Sequence, residues 1–342
     1  MNQFILALFS MTDKLKTSTL FHLLKGKRTS AIMSYAFFTN LLPFLGCQVD
    51  LSLKVFENAI ATLEKEGLLV KSEAATYRIT AKGQSQLNLQ LRESLLEVDY
   101  FNFGRSDENC FRLLAYFIQQ VSKGQENLRP LETSPLFTRP VAQLITQQKA
   151  SPDILYEELA QLFNKLTQVA GDFLAQQFSG ATVLAKTAYQ ILPDEYQKEP
   201  WSQLYQASCL HPLLKEIKKA QKKTLCYQLL KGLLQQNYNK SMLYTRQLLL
   251  EEKSIGEVAQ IRDLKVGTIS DHIVEWSLYE ESFPFERFIS KASRENLDLL
   301  AAKEDVYAMR YSAVNEKFPL DFIEFRLYQI KQKRDENYDI RG

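Results

Sequence analysis

The sequence predicts a mainly α protein with an N-terminal winged-helix-like domain, a helical middle region and a C-terminal helix-turn-helix domain. Three observations predict it. Leu, Gln, Glu and Lys dominate a 342-residue chain holding only 12 Gly and 10 Pro, so good helix formers are joined by few irregular connections. The first hundred residues read helix, helix, helix, hairpin. The stretch Ser241 to Trp276 spaces small and apolar residues as two crossing helices require.

At 45% hydrophobic and 24% charged residues, the chain is globular rather than disordered. A formal charge of +2 neither announces nor excludes a nucleic-acid partner. Cys47, Cys110, Cys209 and Cys226 are widely spaced and form no C-x-x-C pair, which argues against disulfides and a cysteine zinc site. The apolar start, Met1 to Ser10, is followed rather than preceded by Lys14 and Lys16, which does not suit a signal peptide. No later run reaches the roughly eighteen apolar residues of a membrane span, so the cytoplasm is the expected location.

In the N-terminal region, helical stretches are expected over Leu15 to Leu24, Ser34 to Leu45 and Leu53 to Glu66. Phe56, Ile60 and Leu63 share one face of the third, and Gly67 stops it. Two extended pieces, Leu68 to Lys71 and Thr76 to Thr80, form a wing, and Ala81 to Leu96 a further helix. The segment before residue 35 has five cationic side chains against Asp13 alone. The third helix instead sets Lys54 and Lys65 against Glu57, Glu64 and Glu66, so dimerisation or scaffolding suits this unit better than DNA reading.

Asn102 to Asn109 reads as a linker, Cys110 to Ser122 as a helix, and Leu128 to Pro140, with three prolines, as an irregular crossing. Pro152 and Asp153 open an amphipathic helix, and further helices are expected over Ala181 to Ile191 and Trp201 to Cys209. His211 precedes Pro212 at an expected helix start. The expected domains are 1–99, 110–232 and 233–342.

Between His211 and Lys240, seven lysines face Glu216 alone. Lys215, Lys219 and Lys222 share one helical side, with Lys218 and Lys223 close by. A solvated face, a phosphate-contacting strip and a docking surface for an acidic partner are the competing readings.

In the C-terminal region, Ser254 and Glu257 have the spacing of a capping box. Ile255, Val258 and Ala259 point inward, Ala259 being small enough for two helices to cross. A turn through Arg262, Asp263 and Leu264 leads to a second helix whose Ile269, Ile273 and Trp276 are buried together. The opposite side then carries Gly267, Asp271 and Val274, flanked by Thr268 and Glu275. Two outward carboxylates repel phosphates, which disfavours stand-alone operator reading. The candidates for DNA contact are therefore Lys215, Lys218, Lys219, Lys222 and Lys223, joined by Lys265, Thr268 and His272. Packing is the simplest role for His272; if exposed, it donates to a phosphate. Asp271 and Glu275 suit a basic partner surface, and Phe283, Phe285 and Phe288 an apolar anchor or inter-domain packing.

The run Ser254, Ile255, Glu257, Val258, Ala259, then Leu264, Lys265, Thr268, Ile269, His272 and Ile273, resembles the helicase-type helix-turn-helix domain at the C-terminus of some RecQ-like helicases. Looser likeness extends through Phe285 to Ile289, Leu297 to Leu300 and Phe318 to Arg326. In layout the whole chain is similar to YpbB-type proteins of low-GC Gram-positive bacteria, encoded beside a RecQ-like helicase short of such a domain. The resemblance implies a helicase accessory that binds a RecQ-like partner, and DNA only weakly, during repair or recombination. A transcription regulator and a helical scaffold are the alternatives. Asp263 stands where many such turns carry Gly, and Asp tolerates the left-handed conformation needed there.

No P-loop, dinucleotide fingerprint or nucleophile elbow occurs, and His22, His211 and His272 are too scattered for a metal site. Neither catalysis nor a cofactor is expected.

Overall fold

A computed structural model describes all residues except 74, 123–128, 181, 221–223, 308 and 340–342. The chain is mainly α-helical, with one small antiparallel sheet. It forms two compact units: Met1–Gly26 with Pro43–Asn237, and Lys27–Leu42 with Tyr238–Gly342. The boundary expected near residue 99 falls inside the first unit, and the one near 232 lies close to Asn237. Residues 27–42, expected in the winged-helix domain, belong to the second unit.

Unit 1 opens with the helix Asn2–Phe9, whose residues Phe4 to Phe9 are all buried; the apolar start is a core element. Strands β1 (Leu15–Lys16), β2 (Leu69–Glu73) and β3 (Thr76–Ile79) form an antiparallel sheet in the order β1-β3-β2. Leu15 pairs with Tyr77 and Leu69 with Ile79, and the register shifts between Lys71 and Glu73. The helix Leu53–Lys65 is capped by Ser52 and buries Phe56, Ala59, Ile60 and Leu63. Gly67, at φ +72°, ends it as expected: its N–H donates to Glu64 and that of Leu68 to Leu63, a Schellman motif.

Several expected elements differ. The helix expected over Ala81 to Leu96 is broken into Ala81–Ser85 and Leu89–Ser94, because Asn88 accepts from the Leu91 N–H and caps a new start. The expected linker at 102–109 is anchored rather than free: Phe103 and Ser106 are buried, Asn237 bridges the Arg105 N–H and the Ser106 hydroxyl, and Arg105 and Glu108 stay exposed. The irregular crossing expected over Leu128 to Pro140 gives way at Pro135 to the helix Pro135–Gln148, which carries Pro140 inside it. Only Ala188–Ile191 of the expected 181–191 helix is helical among the described residues. The helix Trp201–Ala220 runs straight through Pro212.

In unit 2, the helix Ser30–Phe38 packs against the helices Val266–Tyr279 and Phe322–Asp339. It stops earlier than the expected Leu45 because Asn40 takes φ +58° and builds another Schellman turn, with N–H groups of Asn40 and Leu41 donating to Phe37 and Ala36. The chain departs for this excursion at Gly26 and returns near Gly46, both at positive φ in unit 1. A Cβ on Gly26 would stand 3.1 Å from the Gly46 Cα, so the two backbones meet at a closeness that glycine permits.

Among the described residues, no helix is long and apolar enough to cross a membrane.

Candidate helix-turn-helix interface

The helix Lys240–Leu250 leads into Ile255–Arg262 and Val266–Tyr279, which cross closely at Val258 and Ala259. The capping box forms in full: Ser254 Oγ accepts from the Glu257 N–H at 3.2 Å, and Glu257 Oε2 accepts from the Ser254 N–H at 2.8 Å. The Ser254 N–H, and after it the Ser254 hydroxyl, donate to Glu257 Oε2 and hold that carboxyl below its usual range. Asp263 sits at φ +50°, its N–H donating to Gln260 while that of Leu264 donates to Ala259. Asp263 thus performs the left-handed stop usually given to Gly. Ile269, Ile273 and Trp276 form the buried face, as the spacing predicts.

A polar knot fixes the crossing. The Arg262 guanidinium donates to Ser241 O at 2.6 Å and Ser241 Oγ at 2.7 Å, and also to Thr245 Oγ1. Having accepted from Arg262, the Thr245 hydroxyl donates a hydrogen bond to His272 Nδ1 at 2.8 Å. That chain of donation sets the neutral Nε2–H tautomer. Burial and the Arg262 charge hold the His272 pKa below its ordinary value, with Asp271 opposing. His272 is therefore buried, with Nδ1 accepting inside the crossing.

The sign of the pH effect follows. The unfolded imidazole binds a proton near pH 6.5 while the folded one resists it, so unit 2 has its full stability above that value. The stability falls as pH drops toward the lowered folded pKa. His272→Gln is expected to flatten this slope between pH 7.5 and 5.5 in urea titrations followed by Trp276 fluorescence in a Trp201→Phe background. An unchanged slope in the Gln variant would refute the assignment.

The outward surface of the second helix is much smaller than the sequence suggests. Lys265, Val266, Gly267 and Asp271 are exposed, Thr268 and Ser270 half-buried. Val274 and Glu275, expected outside, are buried, in a helix packed against Lys240–Leu250, Ser30–Phe38 and Phe322–Asp339. Glu275 accepts from Asn239 Nδ2 at 3.0 Å and stands 4.0 Å from Arg28, whose guanidinium also donates to the Tyr279 hydroxyl. Ser30 Oγ donates to Asp271, tying the one outward carboxylate to the covering helix. At the far end, Arg334 donates to the carbonyls of Ser277, Glu280 and Glu281 and caps the helix.

Phe283, Phe285 and Phe288 are also buried, so they are not an exposed anchor. Phe283 and Phe288 pack against Trp276, with ring centroids 4.7 and 5.8 Å away. The exposed apolar side chains at the entrance of the second helix are Val266 and, from the closing helix, Phe322; both line a shallow groove with Gly256 and Thr268. Sequence reasoning missed Phe322 in this role, although an aromatic opening a helix is a visible signal. It also missed Arg28, Ser30 and Arg334, for which no local signal exists.

The lysine candidates lie in unit 1. Lys215 and Lys219 are exposed on Trp201–Ala220, Lys219 pairing with Glu216 at 2.7 Å. Lys218 is half-buried, donates to Asn102 and lies over the Phe103 ring. Lys222 and Lys223 lie outside the described residues. His211 is not at a helix start but mid-helix and buried, accepting at Nδ1 from the Asp99 N–H at 2.7 Å, with Nε2 3.1 Å from Asp107. Among the described residues, no group of His, Cys, Asp or Glu is placed to hold a metal ion.

Unit 2 is built on a helix-turn-helix domain: the family model of that description matches residues 241–332. The chain is also similar to Protein YpbB of Bacillus subtilis (strain 168), at 23% identity over 333 residues, 94% of each chain. No solved structure matches.

Proposed function

We propose that this chain is a non-enzymatic cytoplasmic accessory protein that binds a RecQ-like DNA helicase and touches DNA only through weak, sequence-tolerant electrostatic contacts. The observation that carries the reading is the covered second helix. A reader of the major groove lays the outward side of its second helix against the duplex, the N-terminal residues meeting base edges. Here the helix Ser30–Phe38 occupies that side, and what remains is one short face bearing Lys265, Val266, Gly267 and Asp271. Such a face, with Phe322 beside it, suits a protein partner better than an operator. The helicase-type pattern in residues 254–273 and the similarity to YpbB support the choice of partner.

The test is co-purification with a RecQ-like helicase, followed by unwinding of duplex, forked and gapped DNA with and without this chain. A complex at micromolar concentration, weakened by a Val266→Asp, Phe322→Asp double variant, is expected. Absence of both a complex and any effect on unwinding would defeat the proposal.

For DNA itself, neutralising Lys215 and Lys219 is expected to weaken binding similarly on unrelated sequences and to flatten the logarithmic salt dependence by up to about 2. Lys218 is expected to contribute less, being engaged by Asn102. Filter binding across a salt series measures this, and an unaltered slope would exclude these lysines.

A further inference from the structure

Unit 1 holds a cleft of about 740 Å³ outside the helix-turn-helix interface. Its walls are mixed: Phe111, Phe173 and Leu210 give apolar surface, glutamines line it as well, and Asp50, Asp107, Glu108 and Glu199 bring four carboxylates. No Lys, Arg or His lines it among the described residues. Tyr100 also forms part of the wall. It is 4% exposed, and its hydroxyl has no hydrogen-bond partner among the described residues. A buried phenol left unsatisfied is costly unless something it can bond to enters the site.

The acidic groups are held rather than loose. Asp107 faces the buried His211, itself fixed by the Asp99 N–H, and Asp107 Oδ1 accepts from the Glu108 N–H at 2.8 Å. Burial above all, with the Asp107 and Glu199 carboxylates nearby, pushes the Tyr100 hydroxyl well above its ordinary value, so it remains a neutral phenol with a lone pair to offer a cation. The carboxylates do not converge as metal ligands do. Dispersed negative charge over aromatic and aliphatic walls matches a longer guest.

We propose that this cleft binds an organic cation, a primary ammonium or guanidinium group on an apolar stem. The stem lies along Phe173 and Leu210, and the charged head reaches Asp107 and the Tyr100 hydroxyl. A free polyamine and a lysine or arginine side chain of a basic peptide share this chemistry. The proposal stands independently of the helicase reading.

Isothermal titration calorimetry of the full chain tests it, using spermidine, capped lysine and arginine amides, and an uncharged diol of matching length. Saturable binding of a cation, weakening with salt and absent for the diol, is expected. Tyr100→Phe and Asp107→Asn are each expected to weaken it about tenfold or more, the cost of a lost charge-assisted hydrogen bond. Because Asp107 also faces His211, Glu199→Gln at the exposed rim gives a second reading in a chain whose fold is undisturbed, with a few-fold loss expected. Tighter binding of spermidine assigns the site to free polyamines, and tighter binding of the capped amides to a basic peptide. No saturable heat with any cation, equal binding of the diol, or undiminished affinity in both Tyr100→Phe and Glu199→Gln overturns the proposal.

Discussion

Residues 238–342 produced alone are expected to lack a cooperative fold, and fusing residues 27–42 to them through a flexible linker is expected to restore it. The helix Ser30–Phe38 buries Ile32, Met33 and Ala36 in this unit, and Phe38 lies against Tyr307 and beneath the Arg326 guanidinium. Without it, Val274 and neighbouring apolar side chains face water. Arg28 also leaves, and Glu275, whose side chain is only 4% exposed, loses its cation. Breaking a buried ion pair from one side costs about 3–5 kcal/mol. Losing buried aliphatic groups costs about 2–5 kcal/mol for each large side chain. Together these approach or exceed the 5–15 kcal/mol that typically separates folded from unfolded domains. Near-ultraviolet circular dichroism and thermal melting of the two chains compare them directly. A sharp transition for 238–342 at the temperature of the fusion would show that the covering helix is dispensable.

Trp276→Ala is expected to destabilise unit 2 by about 3–5 kcal/mol. Trp276 is 2% exposed at the centre of an aromatic cluster, with Phe283 and Phe288 edge-on to it. Its indole N–H donates to Glu280, which also accepts from Arg246 at 2.8 and 3.1 Å, and the Arg246 guanidinium lies 5.7 Å from the ring centre. Burial raises the Glu280 pKa, but these bonds outweigh it and hold the carboxyl below its ordinary range. Trp276→Phe keeps much of the packing and loses the donor, so a smaller cost of about 1–2 kcal/mol is expected. Urea denaturation followed by far-ultraviolet circular dichroism measures both variants. A cost below about 1 kcal/mol for the Ala variant would contradict this account.

The parts of this fold legible in the sequence are those decided within a few residues. Ser254 and Glu257 form a capping box because both partners lie on one helical turn. Gly67 and Asp263 stop helices because their own backbones accept positive φ. The stripe of Ile269, Ile273 and Trp276 follows from helical period alone. Asn40 followed by Pro43 was a readable stop of the same kind, and the longer helix expected there disregarded it. Other outcomes depend on chain far away. Val274 and Glu275 look solvent-facing on a helical projection, and packing that includes a segment some 240 positions earlier makes them interior. The phenylalanines at 283, 285 and 288 have the composition of an anchor, yet tertiary packing turns them toward Trp276. The unit 1 cleft gathers Asp50, Asp107 and Glu199 from three separate stretches, which no linear pattern reveals.

The excursion of residues 27–42 also sets a timetable for synthesis. Ser30 and Asp271 are 241 positions apart, so the covering helix leaves the ribosome long before the helix it covers. At translation speeds of about 5–20 residues per second, Ile32 and Met33 wait on the order of ten to fifty seconds for their partners. During that interval the rest of unit 1, residues 43–237, is being synthesised, while an apolar loop pinched at Gly26 and Gly46 stays uncovered. A nascent chain stalled before residue 266 therefore displays a ready target for holding chaperones, and completion of the last hundred residues withdraws it.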